Sequence, residues 1–218
     1  MPTTEIALIP LTPGTSIGDP SNPGAAVLAS ITSTLRQQPG FRSTHFGTQV
    51  ENPSILQMLF DWDSRSDHEA FIASDAYAPH LQRCATIMAG PVDIVHVDFE
   101  PEGELGKALK APVTEIVTYY CEGEPVKDWK SNAAKASEWL EKEAAAAGYL
   151  GAAYGITHEE VEYKGVKGKA AVLAIGWTSK EAHMAFRETQ TFKENIGLLR
   201  GEAKAIEMHH VVMMQALE

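Results

Sequence analysis

Apolar and polar positions follow one order through the first half of this chain, and the same order returns in the second half. Glu5–Ile9 is a short apolar run and predicts a strand. Asn22-Pro23-Gly24 opens an Ala/Leu/Ile-rich stretch that reads as a helix to about Gln38, with Pro39-Gly40 as its stop signal. Phe41–Val50 alternates and carries aromatics, Asn52-Pro53-Ser54 turns the chain, and Ile55–Trp62 predicts the next strand. Ser64-x-x-Asp67 has the form of a capping box, in which a hydroxyl satisfies the free N–H groups of a helix start. That helix runs into Phe71. A second follows Ala78-Pro79, from His80 to about Met88, and Val92–Phe99 predicts the closing strand.

The second half repeats these elements. Trp129–Ala147 reads as a long Ala/Glu/Lys helix ended by Gly148, and Thr178-x-x-Glu181 is again a box at a helix start. Residues 158–169, HEEVEYKGVKGK, read as a polar hairpin loop longer than its counterpart, and Gly165-x-x-Gly168-Lys169 within it lacks phosphate-loop spacing and reads as a turn. The clearest match is WDSRSDHEAF at Trp62–Phe71 against WTSKEAHMAF at Trp177–Phe186. Flanking pieces align in the same order. Glu5-Ile6 matches Glu115-Ile116, Gly40-Phe41 matches Gly148-Tyr149, Ser74 and Tyr77 match Thr189 and Phe192, and His96-Val97 matches His210-Val211.

Each copy therefore reads as βαββαβ, a four-stranded antiparallel sheet with helices on one face and a second apolar face left bare. Two such sheets covering one another predict an α+β chain of two tandem ferredoxin-like modules that form a single-chain dimeric α/β barrel. The expected modules are residues 1–100 and 113–218, with 101–112 as a linker rich in Glu, Gly and Lys. The pseudo-twofold then lies inside one monomer, and a homodimer is allowed but not required.

Charge narrows the partners. The 218 residues carry a net charge of −11, which repels nucleic acid and anionic membranes. No segment reaches the apolar length of a membrane span, and the start lacks a basic, apolar leader. Cys84 and Cys121, the two cysteines, have neither CxxC nor zinc spacing, so a reducing, cytoplasmic setting is expected.

The strand–Trp–Ser–x–x–x–His–x–x–Phe stretch, followed by Ser74-x-x-Tyr77-x-x-His80, resembles the dimeric α/β-barrel superfamily, nearest its antibiotic-biosynthesis-monooxygenase-like branch. Tandem versions of this length are similar to fungal proteins, some of them linked to secondary metabolism. The resemblance implies a flat apolar ligand between sheet and helices. The chemistry it implies ranges over cofactor-free oxygenation of polycyclic phenols, polyketide cyclisation, decarboxylation and haem binding, so fold alone does not select one.

Candidate residues come from comparing the copies. Trp62 and Trp177 end equivalent strands, and His68 and His183 open equivalent helices. With His96 on the last strand they are expected around a substrate, although core packing and backbone-bonding histidines explain them as well. Of His209 and His210, adjacent on a strand, only one can face inward. The asymmetric positions are His45, Asp61, Tyr77 and His80, whose counterparts are Ala153, Gly176, Phe192 and Asn195. Loss in one copy marks them as catalytic candidates. His45 and Asp61 could form an oriented base pair across neighbouring strands, and Tyr77 and His80 share a helix face.

The expected protein is a cofactor-independent enzyme of secondary metabolism. It would act on a polycyclic aromatic or polyketide-like molecule by His acid–base chemistry, giving cyclisation, isomerisation or dehydration. Cofactor-free monooxygenation to a quinone with O2 is one alternative, and a non-catalytic ligand-binding or stress protein is another. No nucleotide, Ser-hydrolase or HExxH metal motif is present, so no cofactor or metal is expected, and haem has no support beyond the resemblance.

Overall fold

Alternation along the first strand puts Glu5, Ala7 and Ile9 on one face, and that face meets helices. In the computed structural model, which describes residues 2–125 and 127–216, the chain divides into two units. One spans 1–96 together with the segment from Met214, and the other spans Val97–Met213.

The first unit is built from β1 (Thr3–Pro10), α1 (Pro23–Leu35), β2 (Phe41–Thr48), β3 (Ile55–Trp62), α2 (Arg65–Ile72), α3 (Tyr77–Ala85) and β4 (Asp93–Val97). Its strands lie in the order β4-β1-β3-β2, the ferredoxin-like order. Asn22 caps α1 by accepting from Gly24 N at 2.9 Å, and Pro23 occupies the first turn, where its missing N–H costs nothing. Leu28, Ile31 and Leu35 of α1 and Phe71 of α2 bury against Ala7, Ile9, Leu56, Met58, Phe60 and Trp62 of the sheet. Each large side chain so enclosed contributes about 1.5–3 kcal/mol.

The second unit contains α4 (Glu104–Leu109), β5 (Val113–Tyr120), α5 (Trp129–Glu143), a 3-10 turn at Ala145–Ala147, β6 (Tyr149–Tyr163), β7 (Val166–Trp177), α6 (Lys180–Arg187), α7 (Gln190–Asn195), α8 (Gly197–Arg200) and β8 (Ala205–Val211). Its strand order, β8-β5-β7-β6, repeats that of the first unit. The last short strand, β9 (Met214–Gln215), returns to the first unit, where it pairs with β2. The two units share their irregularities too. The β2–β3 ladder shifts register between Phe41 and Ser43, opposite Trp62, and the β6–β7 ladder shifts between Tyr149 and Gly151, opposite Trp177. Gly40 and Gly148 precede these bulges at φ 76° and 102°, where a side chain would collide with Asp67 or Thr178.

The segment expected as a linker holds α4, and Thr114 Oγ1 donates to Ala108 O at 2.8 Å where α4 meets its sheet. Three expectations change. The 158–169 loop is mostly strand. β6 and β7 extend through it to a turn at Lys164-Gly165, and Gly168 lies in β7, where the absence of a Cβ admits the Gly123 backbone. The cap of α6 is Ser179, not Thr178, with Ser179 Oγ accepting from Ala182 N at 3.0 Å. Ser64 does occupy the cap position of α2, but its hydroxyl bonds the Asp67 carboxylate at 2.6 Å instead of a backbone N–H.

Candidate active site

Each module buries a carboxylate in its first strand, on the face covered by helices. In the second module Glu115 of β5 accepts from Trp177 Nε1 of β7 at 2.9 Å and meets His183 Nε2 of α6 at 3.2 Å. The far nitrogen of that ring, His183 Nδ1, lies 2.8 Å from His210 Nε2 of β8. The first module repeats the arrangement with Glu5, Trp62, His68 and His96. There Trp62 Nε1 to Glu5 is 3.4 Å, His68 Nε2 to Glu5 is 3.3 Å, and His68 Nδ1 to His96 Nε2 is 2.7 Å. In both modules the histidine stacks on its tryptophan, with ring centroids 5.1 Å apart in the first and 4.9 Å in the second. All eight side chains are buried.

The chemistry follows from this wiring. With Glu115 ionised, Trp177 and His183 both donate to Oε2, which leaves His183 Nδ1 to accept from His210 Nε2–H. The result is a hydrogen-bonded Glu–His–His chain along which a proton can pass. Burial pushes the Glu115 carboxyl up to about 7, against the opposing pull of the Trp177 bond and the Arg187 charge. Such a group is poised to take and return a proton near neutral pH. Glu115 and His183 form part of the lining of a narrow apolar cleft of about 70 Å³, together with Trp139, Trp177, Phe186, Phe192, Tyr119 and residues of α7 and α8.

A metal could use part of this machinery. Glu5, His68 and His96 offer ligand atoms that all lie within 4.8 Å of one another, a cluster no sequence spacing announced. The observed contacts favour the relay, however, because His68 presents opposite ring nitrogens to Glu5 and to His96.

Most of the expected substrate-binding residues thus come together. Trp62, His68 and His96 meet in one module, and Trp177 and His183 meet in the other. Of the adjacent pair on β8, His210 joins the relay, and His209, paired with Ile116, falls on the opposite face. Tyr77 and His80 do share a face of α3, their rings stacked at 6.3 Å, and His80 packs edge-on against Phe71 at 5.2 Å. Burial first, and then the Arg83 charge, hold the His80 imidazole down to about 4, so it is neutral at physiological pH. Burial and the nearby Glu5 carboxylate raise the Tyr77 phenol.

His45 and Asp61 are different. Both lie on the sheet face away from Trp62, but the Asp61 carboxylate accepts from Thr4 Oγ1 at 2.7 Å and Ser43 Oγ at 2.5 Å, so the anticipated His45–Asp61 pair is not formed. Ser43, directly across the ladder from Asp61, is nearer than His45. The change from Asp61 to Gly176 also has a packing cause. A Cβ at Gly176 would meet Ala111 at 2.8 Å and the Ala108 backbone at 3.1 Å, so the glycine admits α4.

The acids at the centre of both clusters were visible in the sequence only as landmarks of the repeat. Their signal is a Glu inside an apolar strand, in the same place twice, where a buried charge needs a dedicated partner.

Residues 25–83 match the family model of the antibiotic biosynthesis monooxygenases. No curated protein matches the sequence. Among solved structures, one described as an anthrone oxidase-like protein is similar with a TM-score of 0.68 and 14% identity, over 100% of this chain and 94% of its own. A proposed monooxygenase from Lactobacillus acidophilus is similar with a TM-score of 0.59 and 11% identity, over 99% of this chain and 95% of its own. Another from Fusobacterium nucleatum gives a TM-score of 0.61 at 10% identity, over 97% and 92%. These likenesses show the fold, two tandem ferredoxin-like modules, and the match to the monooxygenase family model lies within the first of them. Among the described residues no helix is long and apolar enough to cross a membrane.

Proposed function

We propose that this chain is a cofactor-free oxygenase acting on an anthrone- or phenol-type aromatic, with its chemistry in the sheet–helix cleft of the second module. One observation carries the reading: a buried carboxyl with a pKa of about 7, wired to two histidines, lines an apolar aromatic cleft. The family match and the likeness to an anthrone oxidase-like protein favour oxygenation among the chemistries left open by the sequence. They lend nothing to cyclisation or isomerisation.

Glu115 is the base in this scheme. Its Oε2 is taken by Trp177 and His183, which leaves Oε1 for the substrate. It removes a proton from a ring CH2 that lies para to a carbonyl, and the carbanion is delocalised into that carbonyl. The carbanion gives one electron to O2, the two radicals combine, and a proton from the relay completes a hydroperoxide. Loss of water then leaves a ketone. One CH2 and one O2 enter, and one C=O and one H2O leave. The aromatic walls exclude bulk water and keep the carbanion from simple reprotonation. A three-ring substrate exceeds 70 Å³, so this reading requires the short helices α7 and α8 to open.

Oxygen uptake with anthrone, measured against buffer alone, tests the reading. The expected rate rises with pH through about 7 as Glu115 ionises, and Glu115→Gln lowers it by about 10²-fold or more. Uptake no faster than in buffer, or undiminished in Glu115→Gln, refutes it.

A further inference from the structure

Two arginines line the same cleft. Arg187 ends α6 and Arg200 ends α8, and both lie in the wall that contains Glu115, Tyr119 and Trp177. Among the described residues Arg187 donates one side-chain hydrogen bond, to the Met184 sulfur at 3.8 Å, and neither guanidinium joins an ion pair, although the Arg187 charge acts on the Glu115 carboxylate.

The fold does not require Arg187. A positive charge at a helix C-terminus interacts favourably with the helix dipole. Yet the positions that match Arg187 and Arg200 in the first module are Ile72 and Ala85, near the ends of α2 and α3. The equivalent of α6 therefore ends without a basic residue, whereas α3 carries its last-turn charge two positions earlier, at Arg83. Both arginines lower the cost of a negative charge on the buried Tyr119 phenol, so both fields reach into the cleft. Arg187 is half-buried, which strengthens its pull on an anion, and Arg200 is exposed.

We propose that Arg187 and Arg200 make this cleft selective for aromatic substrates that carry a carboxylate. The inference rests on the oxygenase reading of the same cleft and adds the class of molecule that enters it. The aromatic rings pack against Trp139, Trp177 and Phe192, and the carboxylate remains near the mouth, where guanidinium groups present a planar pair of donors. The rest of the acidic surface repels such an anion, so the arginines also orient its approach.

Two non-reactive probes separate this idea from the catalytic one, anthraquinone-2-carboxylate and its carboxamide. Binding is read by quenching of Trp177 and Trp139, which line the cleft. The acid is expected to bind about tenfold tighter than the amide, equivalent to one charge-assisted contact. Arg187→Met and Arg200→Met each reduce that preference, the double variant removes it, and lysine at both positions restores part of it. Equal binding of acid and amide by the native protein, or a preference that survives in the double variant, overturns the proposal. An arginine-dependent preference with no oxygen uptake from any anthrone sustains this proposal and removes the oxygenase reading. Oxygen uptake from neutral anthrones with no acid preference does the reverse, and failure of both probes to bind overturns both.

Discussion

Replacing Glu115 with Gln should change how the stability of the second module depends on pH. The Glu115 carboxyl titrates at about 7 in the folded protein against an ordinary 4.5. Between those values the folded state holds a proton that the unfolded state has released, so stability falls as pH rises across this window. The difference of about 2.5 units, at about 1.4 kcal/mol each, amounts to roughly 3 kcal/mol lost between pH 4.5 and pH 7. Gln keeps an oxygen for the Trp177 Nε1–H and has no proton to lose, so the variant should lack this loss. Urea unfolding followed by tryptophan fluorescence at several pH values measures it, since Trp129, Trp139 and Trp177 all lie in the second unit. At an m-value of about 1–3 kcal/mol/M, the native midpoint should fall by about 1–3 M relative to the variant across the window. Parallel pH profiles for the two proteins would refute a Glu115 that is protonated when folded, and with it the poised base.

Three further outcomes follow from the same geometry. Trp177→Phe removes the bond that holds the Glu115 pKa down, so the rise of oxygen uptake with pH should move upward, by about one unit for one hydrogen bond, in a pH–rate profile. Gly176→Ala should destabilise by about 1–3 kcal/mol in urea unfolding, because its methyl meets α4, whereas Gly106→Ala within α4 meets nothing and should be neutral to stabilising by about 1 kcal/mol. Ser179→Ala should cost about 1 kcal/mol through loss of the α6 cap, and Ser64→Ala less, because Ser64 makes no cap bond.

Periodicity and internal repetition were enough to determine the fold class of this chain. Strand alternation, helix stops at Gly40 and Gly148, and the shared Trp–Ser–His–Phe stretch are local properties, legible wherever neighbouring residues set the pattern. The comparison between copies also found Trp62, His68, Trp177 and His183. A difference between copies can also have a packing cause, as at Asp61 and Gly176, and nothing local shows that α4 lies on that glycine. Only the tertiary structure joined Glu115 to residues 62, 68 and 95 positions away, and a buried acid acquires its function from such partners. Strand order sets β5 between β7 and β8, which brings Trp177 and His210 to one carboxylate, and α6 lowers His183 between them. Burial then raises the pKa of the acid. That environment is assembled across the sheet, by hydrogen-bonded ladders whose partners are far apart in the chain.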